Sequence, residues 1–444
     1  SAQTLHEIER IKALRKSVVV FKSWLNHVVI YTVIWGGMLF LYELKLMKYT
    51  ALTDLTWIAV IISFLTFVLG SVTYKYVKDF QKHSDSAFQS TFLLDGAKNL
   101  KFLKITIIIT GTISLLGAIQ HWAVLFDMFG SITSILINAN TIYRMRVQEE
   151  IPGVIPYVSA FGFVAVFFAA IESAIKGRFT FLSFYAIVGV MLKEFAMLGR
   201  AGILIAFVEY FVVLFFVRLF LKKQTDSLNI KKKSNLTLSL VITLIIFIMS
   251  ASLVKNVRGA FESYRSSTKE LNKLKGGLLI TPSIYLYFSA HIGVFSRYLW
   301  DDSESSYFGE NTFLPVYRII SKFGVVDPPS YYQKGYNIPM WTNTGTYLRE
   351  LHADFGSLGI FLVPYLLGFL TSFYWFKFLK SGNLKDILIL SHLYIIIVFS
   401  FLTMITRSSN LIISFVVIYM IIFLFEKYKF HQREIENKGE GQVV

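Results

Sequence analysis

The chain has no cysteine in its 444 residues. That excludes a disulfide framework, thiol chemistry and any metal site built on Cys, and leaves the redox compartment open. Charge is scarce too: 16% of residues are Asp, Glu, Lys or Arg, against roughly 25% in soluble proteins. Proline is rare, and five of the eight fall between residues 255 and 355. There is no GxxxxGK[ST] loop, no HExxH helix and no Asp-Asp pair in an early loop. A nucleotide cradle, zincin chemistry and the acidic pair of many metal-dependent lipid-linked transferases therefore lack sequence support. The lone Asp-Asp pair, Asp301-Asp302, lies in a polar DDSESS run that reads as a solvated turn. Neither a metal nor a cofactor is expected.

What the chain has in abundance is apolar surface: 55% hydrophobic residues, 16% aromatic, and a mean hydropathy of +0.56. This composition points to an all-α, polytopic integral membrane protein. The formal net charge is +16, which in a soluble chain would suggest nucleic acid. Here the basic residues sit in short loops between apolar runs, where they orient helices and meet anionic headgroups, so the expected partner is membrane lipid and not nucleic acid. The chain opens on Ser-Ala, with no small-residue cleavage site nearby; this start is read as a preparative remnant and not as a processed signal peptide.

About 20 apolar residues cross the hydrocarbon core, which makes about ten crossings here. They are expected near 24–43, 54–74, 105–126, 154–175, 179–198, 201–221, 235–254, 357–376, 386–405 and 410–426. The chain thus divides into a membrane block (1–254, about seven spans), a long polar and aromatic segment (255–355), and a second block (356–444, about three spans) with a basic tail. Arg10 to Lys22, Lys75 to Lys104, Lys176 with Arg178, Lys222 to Lys233, Lys377 to Lys385 and Lys427 to Arg433 mark one side. That side is cytoplasmic by the positive-inside rule and holds both termini; long loops escape the rule, so 255–355 is placed outside.

The outward turns carry Arg144, Arg146, Arg200 and Arg407. Positive charge there opposes the orientation signal and asks for a local reason: a structural ion pair, a headgroup contact, or an anionic ligand. Several Arg forks could neutralise a lipid diphosphate. Arg200 lies between Gly199 and Gly202, which permit a sharp turn, with Lys193 and Glu194 about one helical turn inside the same outer boundary.

Within the outer segment, residues 280–300 are apolar and aromatic but interrupted by His291 and Arg297, and are expected to form a helix lying at, or dipping into, the outer interface. The proline-spaced stretch that follows reads as an irregular loop. NTGTYLRELHADFG reads as a turn and a helix, with Asn343 or Thr344 as cap. On it Arg349 and His352 share one face at i,i+3, and Glu350 and Asp354 another at i,i+4. Bases and a cation thus stand at the membrane boundary, unless these residues simply form an ion-paired helix entrance. Tyr and Trp between 285 and 341 offer faces for sugar rings or act as interface anchors.

The layout of spans, the Gly-Arg-Ala-Gly turn, GENTFLPVYR, and NTGTYLRELHADFG just before a span resemble the Wzy-type O-antigen and oligosaccharide repeat-unit polymerases. The resemblance covers most of the chain in layout and only tens of residues in motif. It implies a metal-independent, inverting glycosyltransferase of the GT-C-like class in the bacterial cytoplasmic (inner) membrane, acting on the extracytoplasmic side in lipopolysaccharide biosynthesis. The donor would be a growing glycan on undecaprenyl diphosphate, the acceptor a repeat unit on the same carrier, and a chain-length regulator protein a partner. Arg200 is the first choice for the diphosphate, with Arg297, Arg318, Arg349, Arg407, Lys193, Arg146 and Asn343 as further candidates. His352 is the preferred base, with Asp354, Glu350 and His291 as rivals. Two alternatives remain: an O-antigen ligase of the same architecture, told apart by its acceptor, and a lipid-linked oligosaccharide flippase or secondary transporter. The second would prefer the apparently buried acids Glu172 and Glu209, although no internal repeat is visible.

Overall fold

The computed structural model describes residues 26–80, 91–94, 96–139, 141–142, 145, 151, 155–197, 199, 201–227, 268–273, 282–301, 306–330 and 333–440. The expected span 235–254, Arg144, Arg146, Arg200 and Asp302 lie outside them.

The described chain is mostly helical. In order it forms α1 (His27–Glu43), α2 (Asp54–Phe80), α3 (Thr91–Leu94), α4 (Gly96–Phe129), α5 (Ile132–Ile137), α6 (Ala160–Lys176), α7 (Phe181–Ala196) and α8 (Ala201–Ser227). Then come α9 (Lys269–Lys273), α10 (Pro282–Ser289), α11 (His291–Asp301), α12 (Leu314–Ser321), the strands β1 (Tyr336–Asn337) and β2 (Trp341–Thr342), and α13 (Tyr347–Phe355). The last elements are α14 (Ser357–Ser381), α15 (Leu384–Phe399), a 3-10 turn (Ile405–Arg407) and α16 (Ser409–Glu440). The strands form an antiparallel ribbon that pairs Tyr336 with Thr342.

Helices occupy every expected span inside the described residues. Five are long and apolar enough to cross a membrane by length and composition: Asp54–Tyr74, Asn99–Phe129, Ala201–Lys223, Ser357–Ser381 and Ser409–Tyr428. α1 is a shorter apolar helix; α6, α7 and α15, at 17, 16 and 16 residues, are shorter than the ~20 residues of a full crossing. α2 turns Leu55, Ile58, Ile62, Leu65 and Leu69 outward, and α14 does the same with Leu358, Phe361, Leu362 and Leu366. Such stripes of exposed apolar side chains suit contact with lipid.

α6 is buried around its whole circumference from Ala160 to Ala174, with α4, α7, α8 and α16 around it. α2 and α14 pack at close range through glycine: a Cβ on Gly70 would strike Tyr365 O, and one on Gly368 would strike Phe67 O. Without a hydrophobic force between helices in lipid, such small-residue contacts carry the association. At one end of the bundle a Cβ on Gly177 would stand 3.2 Å from the Arg218 guanidinium and Gly382 lies against the Phe220 ring, and Lys385 pairs with Glu426 at 2.7 Å. The basic ends of α6, α8, α14 and α16 therefore gather there. α13 sits at the opposite end of α14.

Residues 282–301 are not the single helix their composition suggested. They form two helices broken at Ala290, and His291 to Ser296 are buried against α1, α2 and α13. Gly293 makes this possible, because a Cβ there would come within 2.5 Å of Ile338 and 2.8 Å of the Tyr42 hydroxyl. The proline-rich stretch is likewise not wholly irregular: Pro315 stands in the first turn of α12, where its missing N–H costs nothing.

Candidate functional site

α13 starts at Thr346, whose extended backbone ends the preceding loop. The cap is thus neither Asn343 nor Thr344, which are used elsewhere. Tyr347 fixes the first turn from below: its hydroxyl lies 2.9 Å from that of Tyr31 on α1 and 3.3 Å from Ser63 Oγ on α2. Its N–H donates to Ser400 O at 2.9 Å, and Trp35 Nε1 donates to Ser400 Oγ at 2.9 Å. At the other end Gly356, with φ of 62°, makes the corner between α13 and α14. Only glycine takes that conformation without strain.

The acidic face of α13 is locked into the outer segment. Asp354 Oδ1 accepts from Asn311 N and Asn311 Nδ2, both at 2.9 Å, and from Ser306 Oγ at 3.1 Å. Its Oδ2 accepts from Thr312 N and Thr312 Oγ1, both at 2.7 Å. Five donors on one buried carboxylate make Asp354 the clamp that shapes the GENTF turn. Asn311 Oδ1 in turn accepts from Arg407 Nη1, which lies 3.8 Å from Glu350 Oε1. Glu350 accepts from Thr403 Oγ1 at 2.7 Å and from Met404 N. Burial pushes the Glu350 carboxyl above its usual range and Arg407 pulls it back. The two acids placed at i,i+4 by the sequence are thus joined through Asn311 and Arg407.

The other face centres on Tyr298 of α11. Its hydroxyl lies 2.9 Å from His352 Nδ1, and its ring faces the Arg349 guanidinium at 5.7 Å. Arg349 is fully buried, lies 5.3 Å from the Tyr336 ring, and donates to Lys334 O at 2.7 Å and Asn343 O at 3.3 Å. Gly345 makes room for it, since a Cβ there would stand 2.6 Å from Arg349 Cδ. Arg407 similarly donates to Ser330 O at 3.2 Å. Arg349 thus ties the carbonyls of Lys334 and Asn343 to α13, and Arg407 ties that of Ser330 to the 3-10 turn.

Among the four base candidates, His352 alone is only half-buried. His291 is buried: Nε2 lies 2.6 Å from Tyr287 O, and Nδ1 lies 3.0 Å from both Thr344 O and Thr344 Oγ1. A neutral ring protonated at Nε2 satisfies both positions, donating to Tyr287 O and accepting from the Thr344 hydroxyl. Burial lowers its pKa accordingly.

Arg297 is exposed over the Trp300 ring at 5.3 Å, Arg318 stands half-buried on α12, and Lys193 pairs with Glu194 at 2.6 Å. Glu194 also accepts from Gly202 N at 3.2 Å. Among the described residues no group of three His, Cys, Asp or Glu is placed to hold a metal ion. Sequence reasoning missed Tyr298, Asn311, Thr312 and Tyr336. Asn311 and Thr312 lay inside a motif already singled out, but nothing in that motif names Asp354 as their acceptor. No family model, curated protein or solved structure matches the chain.

Proposed function

We propose that this chain is a metal-independent, inverting membrane glycosyltransferase of the repeat-unit polymerase kind. On this reading it has about ten crossings in a GT-C-like arrangement, both termini cytoplasmic, and a site on the extracytoplasmic side of a bacterial inner membrane. The observation that carries the reading is His352: a half-buried imidazole on α13, one turn before a helix apolar enough to span, with Tyr298 at its Nδ1. With the proton on Nδ1 and donated to Tyr298 Oη, Nε2 has the lone pair that general-base chemistry needs near neutral pH.

In the reaction, an acceptor sugar hydroxyl attacks the anomeric carbon of the donor glycan. The new C–O bond forms as the bond to undecaprenyl diphosphate breaks, the hydroxyl proton passes to His352, and the lipid diphosphate leaves with the electron pair. Asp354, Glu350, Arg349 and Arg407 position α13 and its loop in this scheme, and leaving-group charge falls to Arg200, Arg297 and Arg318.

A second reading, movement of a lipid-linked oligosaccharide, is favoured by Glu209. Its two carboxylate oxygens are buried in α8 without a hydrogen-bond partner among the described residues, an arrangement that suits proton binding during transport. Glu172, by contrast, accepts from Thr180 Oγ1 at 2.6 Å and pairs with Lys176.

The test is incubation of the purified chain with undecaprenyl-diphosphate-linked repeat units, followed by a gel for polymer ladders. Wild-type protein should give ladders, and His352→Ala should cut turnover by roughly 100-fold or more, the scale of lost general-base catalysis, with unchanged elution and melting. Absence of ladders from wild-type protein, or ladders undiminished in the variant, would overturn the assignment. Glycan appearing on a lipid A core instead would make the protein a ligase.

A further inference from the structure

Helix α12 presents two different sides. Leu314 is buried, and the Tyr317 hydroxyl donates back to Phe308 O at 2.6 Å, so this side is held by protein. Away from it Phe313, Val316, Ile319 and Phe323 recur every third or fourth residue at 54%, 48%, 57% and 79% exposure, and Phe308 and Val325 at the two ends are exposed as well. A helix with that spacing buries one apolar stripe, and here the stripe faces away from the rest of the chain.

Its place in the fold says what covers it. α12 packs on the 3-10 turn and on α16, Thr406 Oγ1 donates to Thr312 O at 2.8 Å, and the Phe308 ring meets Phe355 edge-on at 4.9 Å. Phe355 and Thr406 stand immediately before α14 and α16, the last two helices apolar enough to span. The stripe is therefore level with the beginning of both. Leu358 and Phe361, exposed on the first turns of α14, must face lipid if that helix crosses, and the α12 stripe continues the same apolar margin. Lys322 is exposed beside it and Arg318 half-exposed, at the level where basic side chains meet headgroups.

We propose that α12 lies in the plane of the membrane and seats Phe313, Val316, Ile319 and Phe323 in the lipid leaflet where α14 and α16 begin. This anchors the outer segment to the bilayer and holds whether the chain transfers glycans or moves them.

The absence of cysteine makes the test clean. Ile319→Cys, Phe323→Cys and Asp327→Cys are each labelled with an environment-sensitive fluorophore on the full chain in phosphatidylcholine and phosphatidylglycerol vesicles. Quenching by nitroxide-labelled lipid is then compared with quenching by aqueous iodide. Labels at 319 and 323 should be quenched several-fold more by the lipid than by iodide, with the reverse at the exposed Asp327 position. Iodide quenching equal at all three positions would mean a water-facing helix and overturn the proposal. Shielding of 319 and 323 from both quenchers would mean cover by a second copy of the chain, and would overturn it equally.

Discussion

His291 shows what burial does to a titratable side chain when its hydrogen bonds suit only one protonation state. The ring is enclosed by Tyr287 of α10, Thr344 and the Phe401 ring, and removal from water holds its pKa below the ordinary 6.5, although the carbonyls of Thr344 and Tyr287 pull the other way. The unfolded chain takes up a proton as pH falls through 6.5 while the folded chain does not. The unfolded state then binds more protons, so the stability that His291 contributes is present above that pH and is lost as pH drops below it. His291→Gln keeps a donor for Tyr287 O and cannot titrate. Its melting temperature should lie below wild type at about pH 7.5 and fall less steeply towards about pH 5.5; parallel slopes in the two proteins would exclude this role. Asp354 carries the complementary lesson. In the sequence it is one acid among several near a membrane boundary. Its five donors come from residues 306 to 312, more than forty positions earlier, and no spacing rule links those two stretches.

At the scale of elements, the tightest contact is the one between α2 and α14, where glycine lets backbone approach backbone. Gly368→Val should force these helices apart and destabilise the fold by about 1–3 kcal/mol, the usual cost of overpacking a close contact. Gly36→Ala on α1, with no described residue within 4 Å of the added methyl, should leave melting unchanged or slightly raised. Thermal unfolding of both variants in detergent checks the pair, and equal effects would remove the special role of the α2–α14 contact. Apolar runs made nearly all the long helices legible, because a span announces itself by length alone. The outer segment was harder, since its described helices have 5 to 11 residues and are positioned by partners remote in the chain. Residues 280–300 read as one interfacial helix because His291 and Arg297 dilute their hydropathy, and nothing in that pattern marks the break at Ala290. Yet His291 is satisfied internally, and Arg297 projects from the exposed edge. α12 was hidden by Pro315, which breaks a helix in its interior and suits one in its first turn.

For the whole molecule, the distribution of charge between the two ends of the bundle decides which way it sits. Lys176 and Arg218 are brought together through Gly177, and Gly382 at the foot of α14 rests on Phe220 beside Lys222 and Lys223. Lys385 reaches Glu426 next to Lys427. Each of these loops is basic by itself in the sequence; the fold brings them to one end, with α13, the Asp354 clamp and Arg407 at the other. Positive charge is retained on the cytoplasmic side during insertion, so the basic end should face the cytoplasm and the α13 end the outside. Single cysteines at two exposed positions test this in intact cells. Asp327→Cys, in the outer segment, should react with a membrane-impermeant maleimide added from outside, whereas Lys380→Cys, at the basic end, should react only after the cells are permeabilised. Reaction of Lys380→Cys alone would invert the molecule and place His352 among cytoplasmic substrates, where a polymerase fed by exported lipid-linked glycans has nothing to act on.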